Sequence, residues 1–383
     1  MARLGDVCII NPKSPGFDDN LKVSFIPMPK VGENGEFDPS EIKEYREVKK
    51  GFTYFQNSDV LFAKITPCME NGKGAIAREL KNGVGFGSTE FHVLRPLAER
   101  VSSKWLFYLL SWPSFRKDAE KNMTGSAGQK RVPKSFLEGY SLVVPSLEEQ
   151  QSMTDTLDKV SGLIFLRKQQ LSKLDELVKS RFVELFGGAD YPKVLFENVC
   201  VFLRNGASIK QTKGAGGYPI TRIETLSNDV FNIDRLGYAD ITDLEKYQSY
   251  VLHHGDILIS HINSVAYLGR AVQYKGQLDS PIIHGMNLLC ARIADSYNPT
   301  YIEWFFKTPM AKEYIASITK KAVNQASITT SDLKKMEVPN PPIKSQEQFT
   351  TFVEQTDKSK LAVQRSLGKL ETLKKALMQK YFG

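Results

Sequence analysis

Between residues 146 and 187 the apolar positions Met153, Leu157, Val160, Ile164, Leu171, Leu174, Val178 and Leu185 return at intervals of three, four or seven. That rhythm is one face of an α-helix. No proline interrupts it, Gly162 is the one glycine inside it, and Arg167 marks a gap in it. Ser146 followed by Glu149 has the spacing of a capping box, in which two side chains satisfy two amides that the helix leaves without partners. A second run of the same kind holds Phe349, Val353, Val363, Leu367, Leu370, Leu377 and Tyr381, interrupted by Thr356, Lys360 and Lys374. Upstream of each run the pattern changes. Short β-branched and aromatic stretches such as Asp59 to Ile65 and Asp256 to Ile262 alternate with Gly, Asn and Pro, as strands and turns do.

The two halves follow one plan. Shifting the chain by 196 residues places Pro113 on Pro309, Gln129 on Gln325, Ser135 on Ser331, Leu137 on Leu333, Pro145 on Pro341 and Gln150 on Gln346. The match runs on through Leu171, Lys173, Leu174, Leu177 and Lys179, and ends with Phe186-Gly187 on Phe382-Gly383. Upstream the shift drifts: Val7-Cys8 match Val199-Cys200, and Asp59-Val60-Leu61 match Asp256-Ile257-Leu258. Loops that gain and lose residues produce such drift. Each helix, at about 38 residues and 1.5 Å per residue, is ~57 Å long and outreaches a domain of this size. Each therefore needs a partner along its length, and the other copy supplies one as an antiparallel coiled coil. The expected fold is α+β: two tandem mixed α/β domains with a pseudo-twofold internal repeat, separated by two long helices. The expected divisions are 1–145, 146–187, 188–341 and 342–383.

Composition adds little until it is localised. The 383 residues carry a net charge of +8, ordinary apolar content of 41%, and four cysteines without a C-x-x-C pair. Disorder, a disulfide scaffold and a cysteine zinc site are disfavoured. No apolar run approaches the ~20 residues that cross a bilayer, and the first thirty residues lack a signal-peptide pattern. A cytoplasmic chain with reduced cysteines is expected. Residues 112–139 and the matching 308–335 each carry a local excess of three positive charges, so basic character recurs at equivalent places.

The stretch from Gly128 through Gln129, Lys130, Arg131, Val132 and Pro133 to Ser135, the passage from Val143 to Gln150, and the paired helix ends Phe186-Gly187 and Phe382-Gly383 resemble the specificity subunit of type I restriction-modification systems. The resemblance covers the whole chain. It implies that 1–145 and 188–341 are target-recognition domains and that 146–187 and 342–383 are the helical regions between and after them. It also implies double-stranded DNA as ligand, two modification subunits that use S-adenosylmethionine to methylate adenine, and restriction subunits that use ATP and Mg. It implies no cofactor and no catalysis in this chain. Two DNA-reading modules held by a helix pair would read a bipartite, asymmetric site with an unread spacer, and the helices would act as a ruler. One heptad corresponds to ~10 Å, about three base pairs.

Candidate DNA contacts follow from charge and from polar residues beside strand ends, since phosphate contacts position and base edges specify. In the first copy they are Lys64, Thr66, Asn71, Lys73, Ser88, Gln129, Lys130, Arg131 and Lys134. In the second they are Lys210, Lys213, Arg222, Ser260, His261, Asn263, His284, Asn287, Lys320, Lys321 and Gln325. The second copy lacks the Lys130-Arg131 pair, having Ala326 and Ser327 there. Partner subunits are expected at Glu148, Gln150 and Gln346 on the helix exteriors and at Phe186 and Phe382.

Two other readings compete. Asn340-Pro341-Pro342-Ile343 resembles the Asn-Pro-Pro-aromatic motif of adenine-N6 methyltransferases, but the ring that stacks on a flipped base is missing and the segment is in register with Val144-Pro145-Ser146-Leu147. Neither G-x-G-x-x-G nor a P-loop is present, and the histidines include no zinc-binding pair. A coiled-coil scaffold that binds no DNA is the second alternative, and the duplicated basic segments argue against it.

Overall fold

Val60, Leu61, Phe62 and Ala63 are all buried, which a strand achieves only when both faces are covered. In the computed structural model this strand sits inside a four-stranded antiparallel sheet in the order Cys8–Ile10, Phe91–Pro96, Val60–Ala63, Gly74–Ile76. Val60 and Phe62 point toward the helices Ser103–Ser111 and Pro113–Lys121, among Trp105, Leu106, Leu109 and Phe115. Leu61 and Ala63 point the other way, toward Ile26 and Phe55 of a second four-stranded sheet. That sheet runs Ile42–Glu44, Lys22–Ile26, Val84–Gly87, Thr53–Gln56, with its two middle strands parallel.

The structure describes residues 1–126, 128–188, 190–212, 216–227, 229–322 and 325–383. It divides into two compact units, Met1–Gln169 with Gln364–Gly383, and Gln170–Val363. The second unit repeats the plan of the first. Its sheet runs Cys200–Asn205, Leu288–Ile293, Ile257–Ser260, Ala271–Gln273, again antiparallel. Ile257 and Ile259 face the helices Pro299–Phe305 and Pro309–Ile318, while Leu258 faces Phe231, Leu252 and Tyr274. The outer layers differ: the second unit replaces the second sheet with small ribbons such as Gln211–Thr212, Gly237–Ala239 and Tyr218–Ile220.

The long helices run Leu147–Phe186 and Ile343–Phe382. The expected capping box is present, with the Ser146 N–H donating to Glu149 Oε2 (2.8 Å) and the Glu149 N–H to Ser146 Oγ (3.3 Å). Within the first unit Leu157 packs near Met378 and Lys168 pairs with Glu371. Within the second, Lys360 pairs with Asp175 (2.6 Å) and Phe182 stacks edge-on against Phe349 (5.2 Å). In each unit one number rises as the other falls, so the helices are antiparallel. The buried apolar positions are Leu157, Val160, Val178, Phe182 and Phe186 on the first helix and Phe349, Val353, Val363 and Met378 on the second. Phe182, Phe186 and Met378 fall outside the periodic set read from the sequence, because each module adds its own contacts to one flank of the helix.

Candidate nucleic-acid interface

Past the strands Val60–Ala63 and Ile257–Ser260 the chain continues into a narrow three-stranded ribbon. In the first unit Ile65 bridges Arg131, which bridges Thr124. The Thr66 N–H donates to the Lys130 carbonyl (3.0 Å), and the Val132 N–H to the Lys64 carbonyl (2.9 Å). Gly125 and Gly128 take φ of +122° and +81°, a positive-φ backbone that glycine adopts without a Cβ penalty. In the second unit Ile262 pairs with Ser327, which pairs with Lys320, and Asn263 pairs with Ala326, which pairs with Lys321. The Ile328 N–H donates to the His261 carbonyl (3.0 Å), as Val132 does to Lys64. The two ribbons occupy equivalent places in the repeat.

The first ribbon gathers Lys64, Thr66, Gln129, Lys130 and Arg131, with Gln129 and Lys130 exposed. Arg131 is not an available cation. Its Nε and Nη2 donate to both oxygens of Glu90, at 2.7 to 3.2 Å, and this pairing holds the Glu90 carboxyl below the usual carboxylate range. Ser88 Oγ accepts from the Glu90 N–H (3.2 Å), and the Lys64 N–H donates to the Glu90 carbonyl (2.9 Å), so Ser88 and Lys64 hold the Glu90 backbone in place. Glu90 was not among the expected residues. At the 197-residue shift that sets Asp59 on Asp256, Glu90 falls on Asn287. His92 lies beneath, its Nε2 at 2.8 Å from the Val132 carbonyl, and burial pushes its pKa down so that the ring is neutral near pH 7.

The second ribbon gathers Asn263, Lys320, Lys321 and Gln325, with both lysines exposed and Lys320 3.9 Å from Asp332. Asn263 Nδ2 donates to Ser260 Oγ (3.3 Å) and its Oδ1 accepts from the Ser264 N–H (2.8 Å). Asn287 is half-buried.

Several expected DNA contacts sit elsewhere. Ser260, His261 and His284 are buried, and His284 is 1% exposed with Nε2 at 2.8 Å from the Leu288 carbonyl, so none offers a surface edge. Burial carries the His284 pKa down to about 4. Lys73 turns inward and donates to the Met28 carbonyl (3.3 Å). Asn71 is exposed on a cleft shared with Glu70, Arg116 and Lys117. Lys134 pairs with Glu138 (2.8 Å) in one turn of the helix Lys134–Gly139. Lys210 is exposed, and Arg222 Nε donates to Gln211 Oε1 (2.6 Å), both on the separate ribbon of the second unit. Lys213 lies outside the described residues.

The expected partner contacts also divide. Glu148 is exposed, but Gln150 and Gln346 are completely buried beneath the start of each long helix, because their amides are consumed by backbone groups. Phe186 packs on Phe182, Tyr301 and Phe349, and Phe382 packs on Trp105 (5.7 Å), so these rings belong to module cores. Asn340 follows the strand Glu337–Pro339 and donates its N–H to the Pro192 carbonyl (2.8 Å), making the methyltransferase-like motif a strand-to-helix connection. Among the described residues no group of three or more His, Cys, Asp or Glu is placed to hold a metal ion, and no helix is long and apolar enough to cross a membrane.

The profile of the type I restriction modification DNA specificity domain matches residues 1–176 and again 193–375. The EcoAI type I restriction enzyme specificity subunit of Escherichia coli is 46% identical over 170 residues, which is 43% of this chain and 28% of that protein. The chain thus spans under a third of that relative's length. The EcoKI specificity subunit of E. coli strain K12 is 23% identical over 399 residues, 94% of this chain and 82% of that protein. Among solved structures, a chain described under the assembly and conformational transition of a type I R-M system superposes with a TM-score of 0.62 at 20% identity, over 99% of this chain and 96% of that one. That likeness concerns the fold.

Proposed function

Because the chain belongs to the family defined by the type I restriction modification DNA specificity domain, we propose that it is the sequence-specificity subunit of such a system and reads a bipartite, asymmetric DNA site. The observation that carries this reading is the recurrence of one ribbon at the same end of one sheet in both units, each rich in lysine and in Asn or Gln amides. One ribbon serves each half-site. Gln129 and Lys130 act in the first, and Asn263, Lys320, Lys321 and Gln325 in the second. Lysines contact phosphate, while Asn and Gln amides suit the adenine edge in the major groove. The target-recognition domains are 1–145 and 188–341, and the helical regions 146–187 and 342–383 set the unread spacer. Two modification subunits and the restriction subunits bring S-adenosylmethionine, ATP and Mg, and this chain supplies recognition without catalysis in the cytoplasm.

Binding of the assembled complex to random duplexes at several salt concentrations separates this reading from a scaffold without DNA contact. The expected log–log plot falls steeply, because each neutralised phosphate releases counterions worth a slope of about 0.9. Absence of binding at any salt concentration overturns it.

A further inference from the structure

Gln150 and Gln346 are 0% exposed, and their side chains do the same thing in both copies. The Ser102 N–H donates to Gln150 Oε1 (2.9 Å), and Gln150 Nε2 donates to the carbonyls of Arg100 (2.9 Å) and Pro145 (3.0 Å). The Asn298 N–H donates to Gln346 Oε1 (2.9 Å), and Gln346 Nε2 donates to the Pro341 carbonyl (2.9 Å). Ser102 and Asn298 are themselves N-cap residues of the short helices Ser103–Ser111 and Pro299–Phe305. Each glutamine therefore ties the first turn of a long helix to the cap of a helix that lies on the recognition sheet.

A buried amide is costly unless every polar atom finds a partner, and a leucine there would gain burial without that requirement. What hydrogen bonds add is direction, because they weaken steeply away from linearity whereas apolar contact has no preferred angle. Direction matters at the base of a long lever. A helix of 40 residues is ~60 Å long, so a tilt of about 5° at its start moves its far end by ~5 Å, more than one 3.4 Å base-pair step.

We propose that Gln150 and Gln346 are positioning residues that fix the angle at which each long helix leaves its own recognition module, and thereby set how strictly the protein selects the length of the unread spacer. The proposal rests on the bipartite reading above. Both side chains are fully buried and spent on backbone groups, so half-site recognition falls to other residues.

The test uses the full chain assembled with its modification subunits and the variants Gln150→Met, Gln346→Met and the double variant, since methionine keeps the length of the side chain and removes its hydrogen bonds. Affinity is measured for duplexes with the native spacer, with one base pair more or less, and for single half-sites. Loss of amide-exchange protection at Ser102 and Asn298 verifies that the contacts are broken. The expected result is a fall of about fivefold or more in native-spacer selectivity for the double variant, with half-site affinity held within about twofold. Unchanged selectivity, or half-site affinity falling by the same factor as the full site, overturns the proposal. Should the double variant unfold, the single variants decide in the same way, since each leaves one module intact. A wild-type complex indifferent to spacer length would overturn the bipartite reading itself, a result visible before any variant is made.

Discussion

Ile65, Arg131 and Thr124 in the first unit and Ile262, Ser327 and Lys320 in the second occupy equivalent rungs, but they carry different chemistry. In the first ribbon the central strand presents an arginine locked onto Glu90, and the exposed charge is the neighbouring Lys130. In the second the central strand presents Ala326 and Ser327, and the charge has moved to Lys320 and Lys321 on the outer strand. Beneath the rims the two units keep the same devices. Asp59 accepts a two-pronged contact from Arg95, and Asp256 accepts one from Arg292, each at 2.8 Å with the carboxylate 1% exposed. Both carboxylates also accept a backbone N–H, from Gln56 and from His253. The difference teaches that duplication held the parts that aim the ribbon and released the parts that face outward.

Removing the shared scaffold gives the largest effect. Asp59→Ala and Asp256→Ala each strand a partly buried arginine and should cost about 3 kcal/mol, measured by thermal or denaturant unfolding. The two losses should agree within ~1 kcal/mol; a loss confined to one unit would break the equivalence of the scaffolds.

Acid distinguishes the units next. His284 has a folded pKa of about 4 against an ordinary value near 6.5, so the unfolded chain binds more protons between those values. Its contribution is therefore intact above the unfolded pKa and lost as pH falls toward the folded one. By pH 5 the second unit should lose on the order of 2 kcal/mol through this group, with buried His261 adding in the same direction. The first unit has one histidine, His92, shifted in the same direction. Unfolding followed from pH 7 to pH 5 should show the steeper decline in the second unit, and His284→Asn should lessen it.

The rims give smaller and more selective effects. Lys320→Ala with Lys321→Ala should lower the salt slope of DNA binding by about 2, and Lys130→Ala by about 1, each with little change in base preference. Equal slopes in wild type and variants would remove these lysines from the phosphate contacts.

The repeat explains how much of this was legible beforehand. Helix periodicity, the Ser146–Glu149 box and the 196-residue shift placed both long helices, because those signals are local or self-referential. Gln129 was marked by the same shift, which sets it on Gln325, and Lys130 by the local excess of positive charge. The glutamines at 150 and 346 were visible as a matched pair, but polarity suggested an exposed site, whereas their amides are spent on backbone groups brought close only by folding. His261 and His284 misled in the same way, since burial is a property of the packed sheet. Arg131 reads as a free cation until the strand Phe91–Pro96 brings Glu90 beside it from 41 residues away.

The most direct measurement is methylation-sensitive sequencing of DNA from cells carrying the system with either wild-type chain, Asn263→Ala with Gln325→Ala, or Gln129→Ala. The account predicts a two-part methylated motif in the wild type, relaxation or change of one half alone in the second-unit variant, and of the opposite half alone in the first-unit variant. Simultaneous change of both halves in either variant, or a motif without two parts, would contradict it.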